Sequence, residues 1–215
     1  MKQIPRIVLA SFLMLFTFNS NGQDALFNME QIRDAGTLET EVIEDWHSVD
    51  GDVPTRQKYV WINVGELWPG QDYRVPVRLI VPPAGKASGF HLTGGHSLEG
   101  IENDITPRPL EKELIEEGVG LVYTMVQDPA MLGQKELGNE MNRRFIKTLD
   151  PHFSIQYWGW PATVMRAVTA AYAETGHIQQ GKVAVSGASK NGASPSVALI
   201  CDKRITAQYS RYYPI

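Results

Sequence analysis

The stretch VSGASKNGAS, Val185 to Ser194, decides how this chain is read. It passes from a short apolar segment into a turn of small residues with Ser189 at its apex. A serine hydroxyl attacks a carbonyl carbon only once a base removes its proton. A tight strand-to-helix turn helps by exposing Oγ. It also aims the backbone N–H of the next residue, here Lys190, at the place where negative charge develops on the carbonyl oxygen. Gly187, two positions before the serine, keeps a Cβ out of that turn. Asn191 stands where a second glycine is usual and Gly192 follows, so the pattern is G-x-S-x-x-G. Asn accepts unusual backbone angles better than most residues, which keeps the turn feasible. The stretch matches neither a Walker loop nor a dinucleotide fingerprint. A small-residue turn without chemistry remains the competing reading of the motif taken alone.

Working outward, Lys182 to Val185 reads as the strand before the turn, Pro195 to Cys201 as the helix after it, and Ile205 to Tyr209 as the next strand. Upstream, Lys58 to Val64 and Arg74 to Val81 read as two strands around a Pro69-Gly70 turn, antiparallel because the link is short. Pro76 predicts an edge position or a bulge for the second. Phe90 to Thr93 is a short strand, Leu110 to Glu117 a helix ended by Gly118, and Val119 to Val126 a continuously apolar strand. Gly138 to Thr148 and Pro161 to Thr175 read as helices, the second with an apolar stripe through Val164, Ala167, Val168, Ala171 and Tyr172. Residues 24–57 read as an irregular segment packed on the rest. Strands alternating with helices imply one α/β domain: a mostly parallel sheet, helices on both faces, opened by an antiparallel strand pair.

A second motif supports a nucleophile at Ser189. HLTGGHSLEG, His91 to Gly100, follows the first parallel strand, and its Gly94-Gly95 pair can turn backbone N–H groups toward the same oxyanion. His96 is a base, a substrate contact or a solvent-facing loop residue. The Lys190 charge serves the oxyanion, a substrate carboxylate or only the surface. Trp158 and Trp160 line a stacking pocket for a carbohydrate or aromatic substrate, or pack a loop. Glu99, Glu102 and Asp104 fit no ligand spacing with His96, so no metal is expected and no cofactor motif occurs.

At these residues the sequence resembles a known family. VSGASKNG is similar to the nucleophile segment of the PhoPQ-activated pathogenicity-related proteins, which reads close to G-A-S-K-R-G. RVPVRLIVPP followed by FHLTGGHS, and RRFIKTLDPHFSIQYWGWPATVMRAV, resemble their strand pair, glycine turn and helix-loop-helix. The resemblance covers roughly Asp45 to Tyr213. It implies an α/β-hydrolase-like fold and a serine hydrolase acting on an ester or amide. The glucuronoyl esterases, with G-C-S-R-x-G, are the nearest competitor, and Ala188 in place of Cys favours the first family. Asn191 for Arg, and Ala193-Ser194 for Trp-Thr, depart from its pattern at the mouth of the pocket.

In that fold the chain order is Ser, then Asp or Glu, then His. After Ser189 the sequence offers Asp202 as its one acid and no histidine. Asp202 is expected to cap a helix. The base would come from sequence beyond this chain or from His47, His91, His96, His152 or His177. The expected organisation is a signal peptide at 1–22, an N-terminal segment at 23–57 and an incomplete α/β-hydrolase domain at 58–215, its C-terminal strands missing. Lys2 and Arg6 before the apolar run Ile7 to Phe18 carry the leader reading, and the run is short of the ~20 residues a membrane span needs. A secreted or periplasmic protein without a stable membrane anchor follows. Its one thiol, Cys201, reads as buried and structural. A net charge of −4, with no basic run, argues against nucleic acid. The expected partner is a small-molecule or carbohydrate-linked ester or amide. A non-catalytic binding protein on the same scaffold is the alternative.

Overall fold

The computed structural model describes residues 26–211; the expected signal peptide lies outside them. Seven strands form one sheet: β1 (Glu41–Val49), β2 (Thr55–Trp68), β3 (Gln71–Val81), β4 (Ala87–Thr93), β5 (Gly120–Thr124), β6 (Ile178–Ala188) and β7 (Ala207–Arg211). Their spatial order is β1-β2-β3-β5-β4-β6-β7. β1, β2 and β3 are successively antiparallel and β3 runs antiparallel to β5. β5, β4, β6 and β7 are mutually parallel. The helices are α1 (Met29–Arg33), α2 (Leu98–Glu102), α3 (Pro109–Glu116), α4 (Lys135–Thr148), α5 (Trp160–Ala173) and α6 (Lys190–Cys201).

The parallel centre is as apolar as its position demands. All of β5 is buried. In β4 and β6, Phe90 pairs with Val183 and Leu92 with Val185, and all four side chains are buried. Helix α5 is buried from Pro161 through Ala171, well beyond the single stripe the sequence predicts. The cause lies in residues 26–57, the described part of the segment expected to be irregular, which are regular for most of their length. They fold into α1, a 3-10 turn at Ala35–Leu38 and the edge strand β1, and α1 and the turn cover the outer side of α5. Arg166 of α5 holds it there, donating to Asn63 O, Gln31 O, Ile32 O and Asp34 O. Thr169 Oγ1 adds a 2.6 Å bond to Ile32 O.

β3 is not an edge strand and Pro76 pairs with Trp61 in regular register, so neither the edge nor the bulge expected from Pro76 is present. Pro76 sits one residue beyond the start of the β3–β5 ladder at Val77 and Thr124. Its carbonyl faces β5 and accepts from Thr124 Oγ1 at 2.9 Å, so its missing N–H falls where the ladder has stopped. Asp202 does end α6, its N–H donating to Ala198 O. Its fully buried carboxylate pairs with Arg204 at 2.6 Å and Arg33 at 3.4 Å. Cys201 is half-buried and packs against the core. Among the described residues no helix is long and apolar enough to cross a membrane.

Candidate active site

Ser189 caps α6 at the C-terminal end of β6, exposed to solvent. Among the described residues only Glu39, Leu149 and Ser189 have positive φ without being glycine. Glu39 (ψ 50°) and Leu149 (ψ 21°) are ordinary left-handed residues at the ends of helical turns. Ser189, at φ 55° and ψ −123°, lies outside that region as well. A non-glycine residue held there stores roughly 1–3 kcal/mol of strain, which cores tolerate mainly at working sites.

The surrounding small residues are geometric necessities. A Cβ on Gly187 would stand 1.9 Å from the carbonyl oxygen of Asn191. One on Gly192 would stand 3.0 Å from the carbonyl oxygen of Gly187. The turn therefore closes Gly187 against Asn191–Gly192, and the second glycine is needed at 192 rather than 191. β7 anchors the far side: Gln208 Nε2 donates to Gly192 O at 3.1 Å and Ser210 Oγ donates to the same oxygen at 3.0 Å. Beneath the turn, His91 on β4 bonds Ser186 Oγ through Nε2 at 2.7 Å.

The Gly94-Gly95 loop lies beside this turn. A Cβ on Gly94 would meet Val126 Cγ2 at 2.3 Å, and Val126 N–H donates to Gly94 O at 2.9 Å. Gly95 bridges to Met125. The loop is thus pinned to the segment leaving β5. Its open side reaches the elbow: the Cβ position of Gly95 is 3.6 Å from Asn191 Nδ2. Lys190 begins α6, where helix geometry leaves the first N–H groups without intrahelical acceptors. Asn191 is the residue that sequence reasoning undervalued, treating it only as a departure. Its Oδ1 is buried with no hydrogen-bond partner among the described residues, and only the fold shows that it fills the gap between the two loops.

His96 lines an open groove of about 710 Å3 together with Gly95, Arg108 and Tyr123. Its ring stacks on Tyr123 at 3.9 Å between centroids. Burial, then the Arg108 charge, pushes its pKa down to about 4. A ring so reluctant to accept a proton is a weak base at neutral pH but a sound wall for a substrate. The two tryptophans do not form a stacking platform. Trp158 is 5% exposed and packs against Gly65, Tyr73 and His152 on the β2–β3 side. Trp160 donates its indole N–H to Gln127 O at 3.1 Å, fixing the loop after β5. Trp158 is thereby closed to a ligand, whereas Trp160 is half-buried with its indole N–H engaged.

None of the five histidines hydrogen-bonds Ser189 among the described residues. His47 holds Asp104 at 2.8 Å, His91 holds Ser186, and His152 packs beside Trp158. His177 stacks on Trp46 at 4.2 Å at the opposite end of the sheet. Glu44, His47 and Asp104 bring three ligand atoms within 4.8 Å of one another. Buried Arg78 already donates to both carboxylates, at 2.9 and 3.1 Å, so a cation there would face a fixed positive charge. Asp104 is thereby part of an ion pair rather than of a merely solvated acidic loop.

No family model matches the sequence, and no curated protein matches it. Solved structures do. A promiscuous CE15 esterase from a marine bacterial metagenome superposes with a TM-score of 0.55 at 16% identity, covering 87% of this chain and 56% of that one. A CE15 glucuronoyl esterase from Teredinibacter turnerae gives 0.53 at 14%, over 86% and 50%. Acetyl xylan esterase 1 from a Thermoanaerobacterium species gives 0.52 at 13%, over 86% and 56%. The chain spans about half the length of these structures. The likeness, with the strand order and the strained serine, establishes an α/β-hydrolase-type fold.

Proposed function

We propose that this chain is the nucleophile-bearing part of an exported serine hydrolase that cleaves a carboxylic ester or amide. Ser189 Oγ attacks the carbonyl carbon, and its proton passes to a base. The oxyanion lies between the Lys190 N–H and the Gly94-Gly95 loop. Collapse expels the alcohol or amine and leaves an acyl-enzyme on Ser189, which water then hydrolyses. The base and its orienting acid belong, on this reading, to polypeptide following β7. The observation that carries the proposal is the backbone of Ser189, a non-glycine residue held at φ 55° and ψ −123° at the C-terminal end of β6.

Two likenesses support the reading, the first for serine hydrolase chemistry and the second for the substrate class. The elbow sequence resembles the PhoPQ-activated pathogenicity-related proteins. The structural likeness to CE15 and acetyl xylan esterases favours a carbohydrate ester. Labelling with a fluorophosphonate probe tests the chemistry, using this chain, its full-length parent and the Ser189→Ala variant of each. The parent is expected to label at Ser189 and the variant to stay blank. A folded parent that takes no label would sink the proposal and favour a binding protein on the same scaffold.

A further inference from the structure

Helix α4 and the segment Phe153–Tyr157 enclose a cleft of about 420 Å3 that the nucleophile does not occupy. That volume lies within the ~300–1,000 Å3 range of small-molecule sites. Lys135, Asn139 and Asn142 line one wall at helical spacing, with Phe145 beyond them; Gln156 and Tyr157 line the other. The Phe145 and Tyr157 rings stand 6.0 Å apart at 60°, and Tyr157 is 57% exposed. Asn139, Asn142 and Gln156 are exposed and present hydrated side-chain amides to the cleft. Two aromatic rings and three hydrated amides therefore line one opening.

We propose that this cleft binds a neutral glycan. Pyranose rings offer apolar C–H faces to Phe145 and Tyr157, and hydroxyls that both donate to and accept from amides. An apolar ligand would strip water from three amides and an ammonium and return no bond. A polyanion finds one cation, Lys135, and an acid, Asp128, in the same lining. The cleft also joins the reacting end of the sheet. Asp128 is two residues from Val126, whose N–H holds Gly94 O. β5 and β6 are separated only by β4, about 10 Å at ordinary strand spacing. The cleft thus borders the same segment after β5 that the Gly94-Gly95 corner is pinned to. As a substrate subsite it rests on the hydrolase reading; as a binding site it stands alone.

The test is an NMR titration of the 15N-labelled full-length parent carrying Ser189→Ala, with xylohexaose, cellohexaose and the apolar dye anilinonaphthalenesulfonate as separate probes. Saturable shifts confined to residues 135–157 are expected with at least one oligosaccharide. Tyr157→Ala and Asn142→Ala, both at exposed positions, should weaken that binding by roughly tenfold without moving the melting temperature. Failure of both oligosaccharides to shift the cleft, occupancy by the dye alone, or unchanged affinity in Tyr157→Ala would each overturn the proposal. Fluorophosphonate labelling of the parent with Ser189 intact reads the hydrolase separately, so either idea can fail while the other stands.

Discussion

At the scale of single residues, the elbow sets conformational strain against chemistry. Ser189→Gly should relieve roughly 1–3 kcal/mol of strain and lose about 0.5–1 kcal/mol to the freer unfolded chain. A net stabilisation near 1 kcal/mol follows, with labelling abolished; urea unfolding would show it, and an unchanged midpoint would mean that the backbone is relaxed. Gly187→Ala has no such freedom, because its Cβ would overlap a carbonyl oxygen. A loss of about 3 kcal/mol is expected by the same measurement. Two histidines give opposite pH signs. His96 stays unprotonated in the fold down to about 4, whereas the unfolded ring takes a proton below ~6.5. Stability should therefore fall as pH drops from about 6.5 to 4, and His96→Phe, which keeps the stack on Tyr123, should flatten that decline. His47 is shifted upward, first by its bond to the Asp45 carbonyl and then by Asp104. Its contribution is present in full below ~6.5 and is lost as pH rises through its folded value. With the side chain 36% exposed, that term stays well under 1 kcal/mol.

At the scale of elements, α5 carries the clearest consequence. Arg166 is 1% exposed, and burial pushes its pKa down to about 10, so it enters the core charged. Four backbone carbonyls depend on it. Arg166→Leu should cost about 3 kcal/mol by leaving several of them unpaired. Hydrogen exchange should show the 29–38 segment opening first; uniform exchange across the sheet would contradict this. Sequence reading located α5 by its period and its Pro161 start, but not its burial on two sides. A lone arginine in an apolar helix gives no hint of which carbonyls it will meet. For the same reason Pro76 predicts an edge or a bulge that the fold lacks: the rule counts the missing N–H, and only the register shows that no partner faces it.

At the scale of the whole molecule, β7 pairs on one side alone among the described residues, and Tyr209 on it is 67% exposed. Such an edge invites pairing with another strand. Expressed as these 215 residues, the protein should self-associate in sedimentation velocity, and Tyr209→Lys should suppress this; a monomer at every concentration would refute the expectation. Local chemistry in the sequence determined the alternation of strands and helices, the small-residue turn at Ser189 and the Gly94-Gly95 corner, because period and steric size are written residue by residue. The tertiary structure alone decided that Asn191 lies between the two loops, that Trp158 is buried, and that α1 and the Ala35–Leu38 turn pack over α5. Those outcomes depend on which distant atoms meet, and contact between residues far apart in the chain leaves no mark on the spacing of either.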